Sequence, residues 1–501
     1  MSVNAYGVKI NTGGKKEMPY NHGIKIQENP TSIPSPVSTD GFVPVFIGTA
    51  PVNEAADISK AVNTPILCNT FAEAQEALGY SDDYANYTLC ATMDAMFKAF
   101  GVGPVVFVNV LDPSNANHKT TYTDSITLSN KVGVGTSKGV LIDANLVVKN
   151  GGSTLDPDTD YTVELNEDGY PVFTVTAAGV TSITVTGDKL APSGVTAAEV
   201  IGSYTTATGK YTGIQCVDEV YTKLNVVPSL IAAPGFSKTA SVGLALSEKA
   251  YNVSGKFRCE CVVDIDATAS GAQVYSDVEA KKAAAGFANE NMIVCWPMAK
   301  YAGKIMPYSA LYVAMAVYTD VNNENVPNLS PSNKPIKAAA MCDALGNEIY
   351  LTDDQANELN AIGVVTAVNH NGFRSWGNNT AAYPGTTDPK DRWIGCRRFF
   401  SWWGNRFIIT YADKIDDPAN YRLIESFVDS ENVFANGLVA ADKCAGLRME
   451  YRQEDNYIGD VLNGKITFRE YLAPYTPAEY VLDILEYDPS MVEEALGGGE
   501  A

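Results

Sequence analysis

A serine between two glycines is the first candidate for catalytic chemistry. Residues 135–139 read Gly-Thr-Ser-Lys-Gly, which matches the G-x-S-x-G string that carries the nucleophilic serine of α/β-hydrolases. That serine needs a strand before it and a helix after it, whereas the following residues, 140–148, are typical of a strand. We therefore interpret the string around Ser137 as a glycine-rich turn in a β-rich region.

Three aspartates at alternate positions are a candidate calcium loop. Asp156, Asp158 and Asp160 are followed by Glu167 at the twelfth position, as in an EF-hand. The sixth position is Tyr161, where that loop requires glycine, and the flanking residues have strand character. The pattern favours an aspartate-rich turn, and calcium binding by these three carboxylates stays an open alternative.

Sulfur and imidazole ligands are sparse. Cys259 and Cys261 face one side of a predicted strand, but a structural zinc site needs four ligands and there is no second close cysteine pair. His22, His118 and His370 are far apart in the sequence. The nucleotide-binding strings GxxxxGK[ST] and GxGxxG and the zinc motif HExxH are also absent. We expect nine buried, reduced cysteines, and no catalytic residue, cofactor or metal.

Charge and hydropathy exclude two classes of partner. The chain has 36 lysines and arginines against 58 aspartates and glutamates, a net charge of -22, which argues against nucleic acid and against anionic lipid. The longest apolar run, residues 311–317, is far shorter than the roughly 20 residues of a membrane helix. The first 20 residues lack the apolar segment of a secretory signal, so we expect synthesis and folding in a cytoplasm, without membrane insertion.

The order of periodic segments predicts an α/β and α+β multidomain protein with extended terminal arms. Apolar strands (42–49, 105–110, 226–232, 257–265, 292–296) alternate with helical segments (71–79, 84–100, 214–224, 242–252, 272–288). Short Thr/Val/Gly-rich strands interrupt this α/β domain and predict an inserted all-β, sandwich-like domain (121–128, 140–148, 161–165, 172–176, 182–186). A last α+β domain has a strand at 362–368 and helices at 393–411 and 418–445, the second with Pro418 in its first turn and Asp416 or Asp417 near its N-cap. The predicted division is N-terminal arm 1–40, α/β domain 41–112 and 210–333, inserted β domain 113–209, C-terminal α+β domain 334–475 and acidic C-terminal arm 476–501.

Several motifs of the C-terminal third occur together in one known family. Residues 372–380, Gly-Phe-Arg-Ser-Trp-Gly-Asn-Asn-Thr, resemble the "G-x-R-x-W-G-x-R-T" element of contractile tail sheath proteins, with Asn379 where arginine is often found. Residues 393–398 look like the family's "w-x-x-x-x-R-R" helix start, and residues 231–237 resemble its "APG-[YF]-S" segment. The closing "N…G…aP…PAE" pattern also has its counterparts. The family-motif positions are Arg374, Trp376, Gly377, Asn456, Gly464, Pro474, Pro477 and Glu479.

The resemblance implies a mechanical role without catalysis. Such a subunit polymerises as stacked hexameric rings in a helical sheath around a tail tube, and contraction drives the tube through a target cell envelope. The implied partners are further copies of the chain, the tail tube protein, and baseplate and tail-terminator proteins. The implied location is a virion or a phage-tail-like particle assembled in the bacterial cytoplasm, and 334–475 would be the sheath core domain. Phage, bacteriocin and injection system stay open, as do the extended and contracted states and the role of the β insert.

In this family the terminal arms complete β-sheets of neighbouring subunits, and the residues here fit that role. The N-terminal arm has four lysines against two glutamates before residue 30, and residues 476–501 have seven acids without lysine or arginine, so the arms attract each other. Apolar and charged residues alternate at 8–10 and 24–26, as expected of an added edge strand. The candidate inter-subunit residues are Val8, Ile10, Ile24 and Ile26 on the N-terminal arm and Ile466, Phe468, Tyr480, Leu482 and Ile484 on the acceptor side.

Two alternatives remain at the level of sequence. One is another self-assembling structural protein, such as a surface-layer or tube-like subunit. The other, from a different class, is an α/β hydrolase or transferase with an inserted β domain. Trp376, Trp393, Trp402 and Trp403 also leave two interpretations open, because clustered tryptophans serve either a core or an interface.

Overall fold

The computed structural model describes residues 2–3, 9–10 and 41–497. The first 35 residues form a unit of their own, in which Ser2–Val3 pairs with Lys9–Ile10 as two short antiparallel strands. Ile10 thus lies in a strand, whereas Val8, Ile24 and Ile26 fall outside the described residues. The rest of this section concerns the second unit, which begins at Pro36.

A central eight-stranded sheet organises the second unit. Its inner six strands are parallel and its two edge strands antiparallel. In spatial order the strands are Phe373–Trp376, Val364–Asn369, Met292–Cys295, Glu260–Asp264, Val227–Ala232, Phe42–Gly48, Val105–Asn109 and Ile66–Cys68. The inner strands are mostly apolar and mostly buried because helices cover both faces of a parallel sheet. The mixed α/β class that the sequence predicts is confirmed.

Helices connect these strands. They are Ile58–Ala61, Phe71–Leu78, Thr88–Met93, Ala197–Ile201, Val220–Leu224, Ala240–Tyr251, Val278–Ala285, Tyr308–Val321 and Asp353–Ala361. Tyr308–Val321 is buried along almost its whole length and forms the centre of the largest hydrophobic cluster. No helix in residues 41–497 is long and apolar enough to cross a membrane.

Two predicted helices have different bounds in the structure. The segment 84–100 becomes helical only at Thr88 and continues as a π-helix, Asp94–Phe100. The segment 272–288 is helical only over Val278–Ala285, after one 3₁₀ turn, and ends where Gly286 adopts a left-handed conformation (φ +69°). The spacing of apolar residues predicted that both helices exist. Their ends depend on local turns and caps, which the spacing does not show.

The β-rich stretch has a hydrophobic cluster of its own. One sheet contains Lys119–Thr127, Ser182–Leu190, Val147–Asn150 and Ser153–Thr154, and the other contains Tyr161–Leu165, Pro171–Val175 and Val132–Val134. Phe173 and Val185 are fully buried in the cluster that the two sheets share. Strands of the central sheet occur both before and after this stretch in the sequence.

The predicted strand 140–148 is wrong over most of its length. Its regular strand begins only at Val147. The backbone N–H of Asn145 donates to Asp143 Oδ1 (2.8 Å) and that of Leu146 to the Asp143 carbonyl (3.1 Å). Such an aspartate turn competes with strand pairing. The apolar residues on both sides of Asp143 led to the prediction of a continuous strand.

Helices and one hairpin form the C-terminal part. The helices are Pro389–Arg392, Ile394–Thr410, Tyr421–Ala440, Ile458–Leu462 and Pro489–Gly497, and the hairpin pairs Gly446–Tyr451 with Phe468–Ala473. The predicted helix 418–445 is shorter, and Asp416 or Asp417 as its cap is wrong: the cap is Asn420, whose side chain accepts from the Leu423 N–H (3.0 Å). Pro418 therefore lies two residues before the cap and outside the helix.

The central sheet crosses the predicted domain boundary between residues 333 and 334. Val364–Asn369 pairs in parallel with Met292–Cys295, so the central sheet extends into the predicted C-terminal domain. The apolar run of that strand is typical of an inner parallel strand, and the Pro/Asn/Ser-rich residues before it form a surface loop within one packed body. Small sheets complete the second unit: Met298–Tyr301 with Lys304–Met306 and Ala340–Cys342, and Tyr204–Thr205 with Lys210–Tyr211.

Polar contacts join the helix Ile394–Thr410 to the central sheet and to the helix Tyr308–Val321. Arg398 pairs with Asp320 in the interior, and Ser401 Oγ donates to Glu260 Oε1 (2.6 Å). Asn405 makes two bonds with the backbone of Arg258, accepting from its N–H (3.0 Å) and donating to its carbonyl (2.5 Å). Because breaking a buried ion pair leaves an uncompensated charge, these contacts hold the helix and the sheet together as one body.

Asp264 is a buried acid at the carboxyl end of a central strand. Its Oδ1 accepts from the Ser309 N–H (2.9 Å), and its Oδ2 accepts from the hydroxyls of Ser309 and Ser237. Burial raises the pKa of Asp264 to about 6, against an ordinary value of 3.8, although these hydrogen bonds act in the opposite direction. Ionising this carboxyl therefore opposes folding.

We predict that Asp264→Asn removes one pH dependence of stability. Between pH 4 and 6 the folded chain binds more protons at this site than the unfolded chain, so this group's stabilisation is present at low pH and lost as pH rises. The free energy of unfolding of the wild type should therefore fall relative to that of the variant by up to about 3 kcal/mol from pH 4 to 7. Urea titrations at several pH values measure the difference, with the exposed Asp429→Asn as control. A wild-type-minus-variant difference that does not change with pH would contradict the assignment.

Candidate functional site

A tight turn after the edge strand Phe373–Trp376 begins the candidate site. Gly377 has φ +142°, and a Cβ there would lie 2.5 Å from the side-chain amide of Asn360 and 3.1 Å from Val365 Cα. Only glycine fits such a conformation and such a close approach. The turn places the next residues, Asn378 and Asn379, beside Arg392, where both line a groove although most of each side chain is buried.

Four side chains, Asn378, Asn379, Arg392 and Glu479, form a contact that we call the arm anchor. Asn378 Nδ2 donates to Glu479 Oε1 (3.2 Å), and Arg392 Nη2 reaches Glu479 Oε2 (3.4 Å). Arg392 Nε donates to Asn379 Oδ1 (2.9 Å), so one guanidinium joins the motif turn to the C-terminal segment. Residues 477–480 line a groove of about 430 Å³ together with the motif turn.

Aromatic rings orient the guanidinium of the anchor. Its carbon lies 3.9 Å from the ring centre of Trp393 and 4.3 Å from that of Tyr383. Planar stacking of this kind fixes the donor directions of an arginine, so Arg392 is presented to Glu479 in one orientation. Trp393 therefore serves the anchor, whereas Trp403 is fully buried in the C-terminal cluster.

Sequence analysis missed Arg392 as a member of the site. The family's motif often has arginine at the position of Asn379, and here Asn379 accepts from an arginine thirteen residues later in the chain. Arg392 directly precedes the Trp393 motif, which was the available signal. The bond between Arg392 and Asn379 depends on the turn at Gly377, so neither motif alone predicts it.

The remaining motif positions shape the loops around the site. Arg374 Nη1 donates to the Asn333 carbonyl (2.8 Å) and ties the surface loop to the edge strand. Trp376 is half-buried and meets His370 edge to face (5.5 Å). Gly464 has φ +79° in the loop between the two hairpin strands.

The side chain of Asn456 joins the two ends of the hairpin loop by hydrogen bonds. Its Nδ2 donates to the carbonyls of Arg452 and Thr467 (2.8 Å each), and its Oδ1 accepts from the Thr467 N–H (2.7 Å). Asn456 is buried, and these bonds satisfy its amide fully. The loop therefore holds the start of strand Phe468–Ala473 in register.

The chain beyond the anchor leaves its own subunit. Residues 474–488 contain no regular secondary structure, and the candidate acceptor residues Tyr480, Leu482 and Ile484 are mostly exposed, Tyr480 by 80%. Leu485 is exposed by 89%. Pro474 and Pro477 lie in this extended segment, so the residues 480–485 form no acceptor strand within the chain.

The hairpin contains the other two candidate acceptor residues. Phe468 lies in its second strand and stacks on Phe427 (5.2 Å between ring centres), and Ile466 lies two residues before that strand. In the part of the chain that the structure describes, no third strand joins the hairpin. Its outer edges therefore expose unpaired backbone groups.

The candidates for catalysis and metal binding do not converge. Ser137 lies in a loop, with Lys189 Nζ 3.5 Å from its hydroxyl. Asp160 accepts from the backbone of Asp156, which forms a local turn (3.0 Å). Within residues 41–497 no three His, Cys, Asp or Glu side chains are placed to hold a metal ion, and all nine cysteines, Cys259 and Cys261 among them, are buried as free thiols.

Comparison with known proteins relates this arrangement to tail sheaths. No family model matches the chain. A tail sheath protein of Burkholderia phage BcepMu is 26% identical over 507 residues, covering 95% of this chain and 98% of the relative. The major tail sheath protein of Serratia phage KSP20 is 25% identical over 313 residues, covering 58% and 72%. The chain is thus similar to tail sheath proteins along nearly its whole length.

Solved structures with a similar fold come from related particles. A chain of the anti-feeding prophage baseplate has a TM-score of 0.57 at 13% identity, covering 94% of this chain and 100% of the other. A chain of the contracted sheath complex of an extracellular contractile injection system, PVC, has a TM-score of 0.55 at 14% identity, covering 95% and 100%. The chain thus shares its fold with chains of contractile particles. The arm anchor lies where the C-terminal segment leaves the packed body.

We predict that Glu479→Gln loosens the arm without unfolding the subunit. The pair with Arg392 is partly exposed, so its loss should cost at most about 1 kcal/mol locally, or roughly fivefold in the population of the released arm. Chymotrypsin must accommodate the residues on both sides of Tyr475 or Tyr480, so the rate of cleavage there follows this population. Mass spectrometry of timed digests measures that rate.

Glu486→Gln is the matched control, because Glu486 lies further along the same arm and is exposed. It should leave the cleavage rate unchanged. Equal rates for Glu479→Gln and the wild type would show that the anchor does not hold the arm.

Proposed function

We propose that this chain polymerises as stacked hexameric rings in a helical sheath around a tail tube, and that contraction of the sheath drives the tube through a target cell envelope. The observation that carries the proposal is an apolar C-terminal arm that its own subunit anchors and does not bury. The names of the sheath relatives and the contracted-state sheath among the fold neighbours support it.

The arm needs a partner for both its side chains and its backbone. Residues 480–487 carry six large apolar or aromatic side chains that are each exposed by 65% or more. Such a contiguous apolar segment marks an interaction site. An extended segment adds to an exposed sheet edge through backbone hydrogen bonds, each worth about 0.5–1.5 kcal/mol net.

The hairpin of Gly446–Tyr451 and Phe468–Ala473 is the acceptor that fits. It has two strands and packs one face on the helix Tyr421–Ala440, and strands added by neighbours would pair with its free edges. Arms from a second and a third copy would convert it into a larger sheet shared between subunits. Many such links in one particle hold it together although each is weak.

The charges of the two arms favour their meeting on the same acceptor. The N-terminal arm is net positive and the C-terminal arm strongly negative. Opposite charge permits adjacent strands from different copies without repulsion, whereas two C-terminal arms would repel each other. Val8, Ile24 and Ile26 stay candidates for the N-terminal donor strands.

We further assign the finer architecture as part of this proposal. The two sheets of 113–209 form an inserted sandwich-like domain that points outward from the sheath wall, and their separate cluster around Phe173 supports this. Joints near residues 111–113 and 209–213 let it move as a rigid body, while 334–475, apart from its strands in the central sheet, forms the sheath core. The particle is a virion or phage-tail-like particle assembled in the bacterial cytoplasm, with tube, baseplate and tail-terminator proteins as partners.

We predict that deleting residues 1–28 leaves a soluble chain that cannot polymerise. The deletion removes the proposed donor strand and none of the central sheet, so circular dichroism and the melting temperature of residues 41–497 should stay unchanged. Electron microscopy of the purified protein measures rod formation. Sheaths of wild-type length from the deleted chain would refute the role of the N-terminal arm.

We also predict that Leu482→Asp with Ile484→Asp abolishes rods while the subunit stays folded. Both side chains are exposed in the free subunit, so its free energy of unfolding should change by less than about 0.5 kcal/mol, whereas burial in a neighbour would now desolvate two charges. Leu345→Asp, on an equally exposed leucine elsewhere, is the control and should still give rods. Normal rods from the arm variant would mean that no neighbour buries these residues.

A further inference from the structure

A second apolar groove lies apart from the arm anchor, on the other side of the same surface loop. It is bordered by the helix Tyr308–Val321, the end of the π-helix Asp94–Phe100 and loop residues 329–337, and its volume is about 340 Å³. Its apolar lining consists of Phe100, Met315, Tyr318, Leu329 and Pro335. Tyr318 and Leu329 are each exposed by about 40%, so an apolar partner would cover surface that now contacts water.

Two lysines give this groove a positive rim. Lys337 Nζ donates to the Ala99 carbonyl (2.6 Å) and lies 4.9 Å from the ring centre of Phe100, which holds its charge over the groove. Lys334 lines the same groove. Within residues 41–497 neither lysine forms a salt bridge, so the rim is open to an anionic partner.

The terminal helix Pro489–Gly497 has the complementary chemistry. Met491, Val492, Ala495 and Leu496 share one face, and Glu493 and Glu494 flank that face. The apolar face is uncovered in the structure: Met491 is exposed by 68% and Leu496 by 83%. A nine-residue helix of this kind is marginal by itself and needs a surface to pack against.

We propose that the terminal helix of one copy packs into the lysine-rimmed groove of a second copy. Its apolar face would cover Phe100, Tyr318 and Leu329, and its two glutamates would meet Lys334 and Lys337, as in other helix-in-groove complexes. The inference rests on the proposed self-assembly and adds to it a contact distinct from strand exchange.

Charge selects this occupant over the other chain end. The N-terminal arm is net positive, and the lysine rim would repel it, whereas the C-terminal arm has acids only. The loop that borders the groove also reaches the arm anchor, since Ser330 bonds to Asn378. One loop thus meets a neighbour's helix on one side and supports the subunit's own arm on the other, which links successive copies.

Disulfide trapping between two single variants tests this contact. Full-length Leu496→Cys and Leu329→Cys chains are mixed under assembly conditions, oxidised briefly, alkylated and separated without reductant. Only a contact between copies yields a covalent dimer from this mixture, and the nine native thiols are buried. Leu345→Cys replaces Leu329→Cys as the control, because Leu345 is exposed and lies outside the groove.

We expect a dimer with Leu329→Cys and none with Leu345→Cys. Lys334→Glu with Lys337→Glu on the groove should lower the dimer yield roughly tenfold, and Glu493→Lys with Glu494→Lys on the helix should restore it. Restoration by the reversed pair distinguishes direct pairing from a structural effect of the lysine variants, and circular dichroism checks their fold.

The outcomes separate this inference from the proposed function. Rods without the dimer would overturn the groove contact and leave the sheath proposal intact. The dimer without rods would support the contact and overturn the sheath proposal, and the absence of both would overturn both. A dimer between Leu329→Cys and an Ile24→Cys chain in place of Leu496→Cys would show that the N-terminal arm occupies the groove, which also overturns the inference.

Discussion

An apolar chain end that its own subunit holds and does not bury is the constraint on which the rest depends. Glu479 is fixed to Asn378 and Arg392, and from there the chain runs into solvent with Tyr480, Leu482 and Ile484 uncovered. Burying such residues contributes about 25 cal/mol for each Å² of apolar surface, and only another molecule can supply that burial. The anchor matters because it fixes the point at which the arm leaves, which limits the directions in which it can search for a neighbour.

The rest of the subunit can sustain the pull of such a link because its own packing is complete. The central sheet is buried on both faces, and Arg398, Ser401 and Asn405 fasten the helix Ile394–Thr410 to it through the interior. Force applied at the arm therefore reaches a stiff body. A stiff body with an extended C-terminal segment fits the proposed function, in which subunits move while they stay linked.

Sequence patterns predicted most of the helices and strands but few of the side-chain contacts between them. The strand Val227–Ala232 was predicted from an apolar run, because it is buried on both faces. The strand Tyr161–Leu165 was predicted from alternating apolar and polar residues, because one face is more buried than the other. The turn at Asp143 and the cap at Asn420 were missed, because each depends on one side chain and its backbone neighbour. Arg392 was missed because its partner Glu479 is 87 residues away and only the fold brings them together. The family motifs identified Glu479 and Trp376 as motif positions. The structure shows what they contact: Glu479 bonds to Asn378 and Arg392, and Trp376 packs on His370.

Hydrogen exchange of the arm in assembled particles, compared with dissociated subunits, tests the central claim most directly. In the free subunit the amides of residues 480–487 have no strand partner and should exchange at rates near those of an unstructured peptide. In the particle the account predicts strong protection of these amides, together with those of Phe468–Ala473, because strands from different copies pair there. Arm amides that exchange as fast in the particle as in the free subunit would contradict the claim that cohesion lies between molecules.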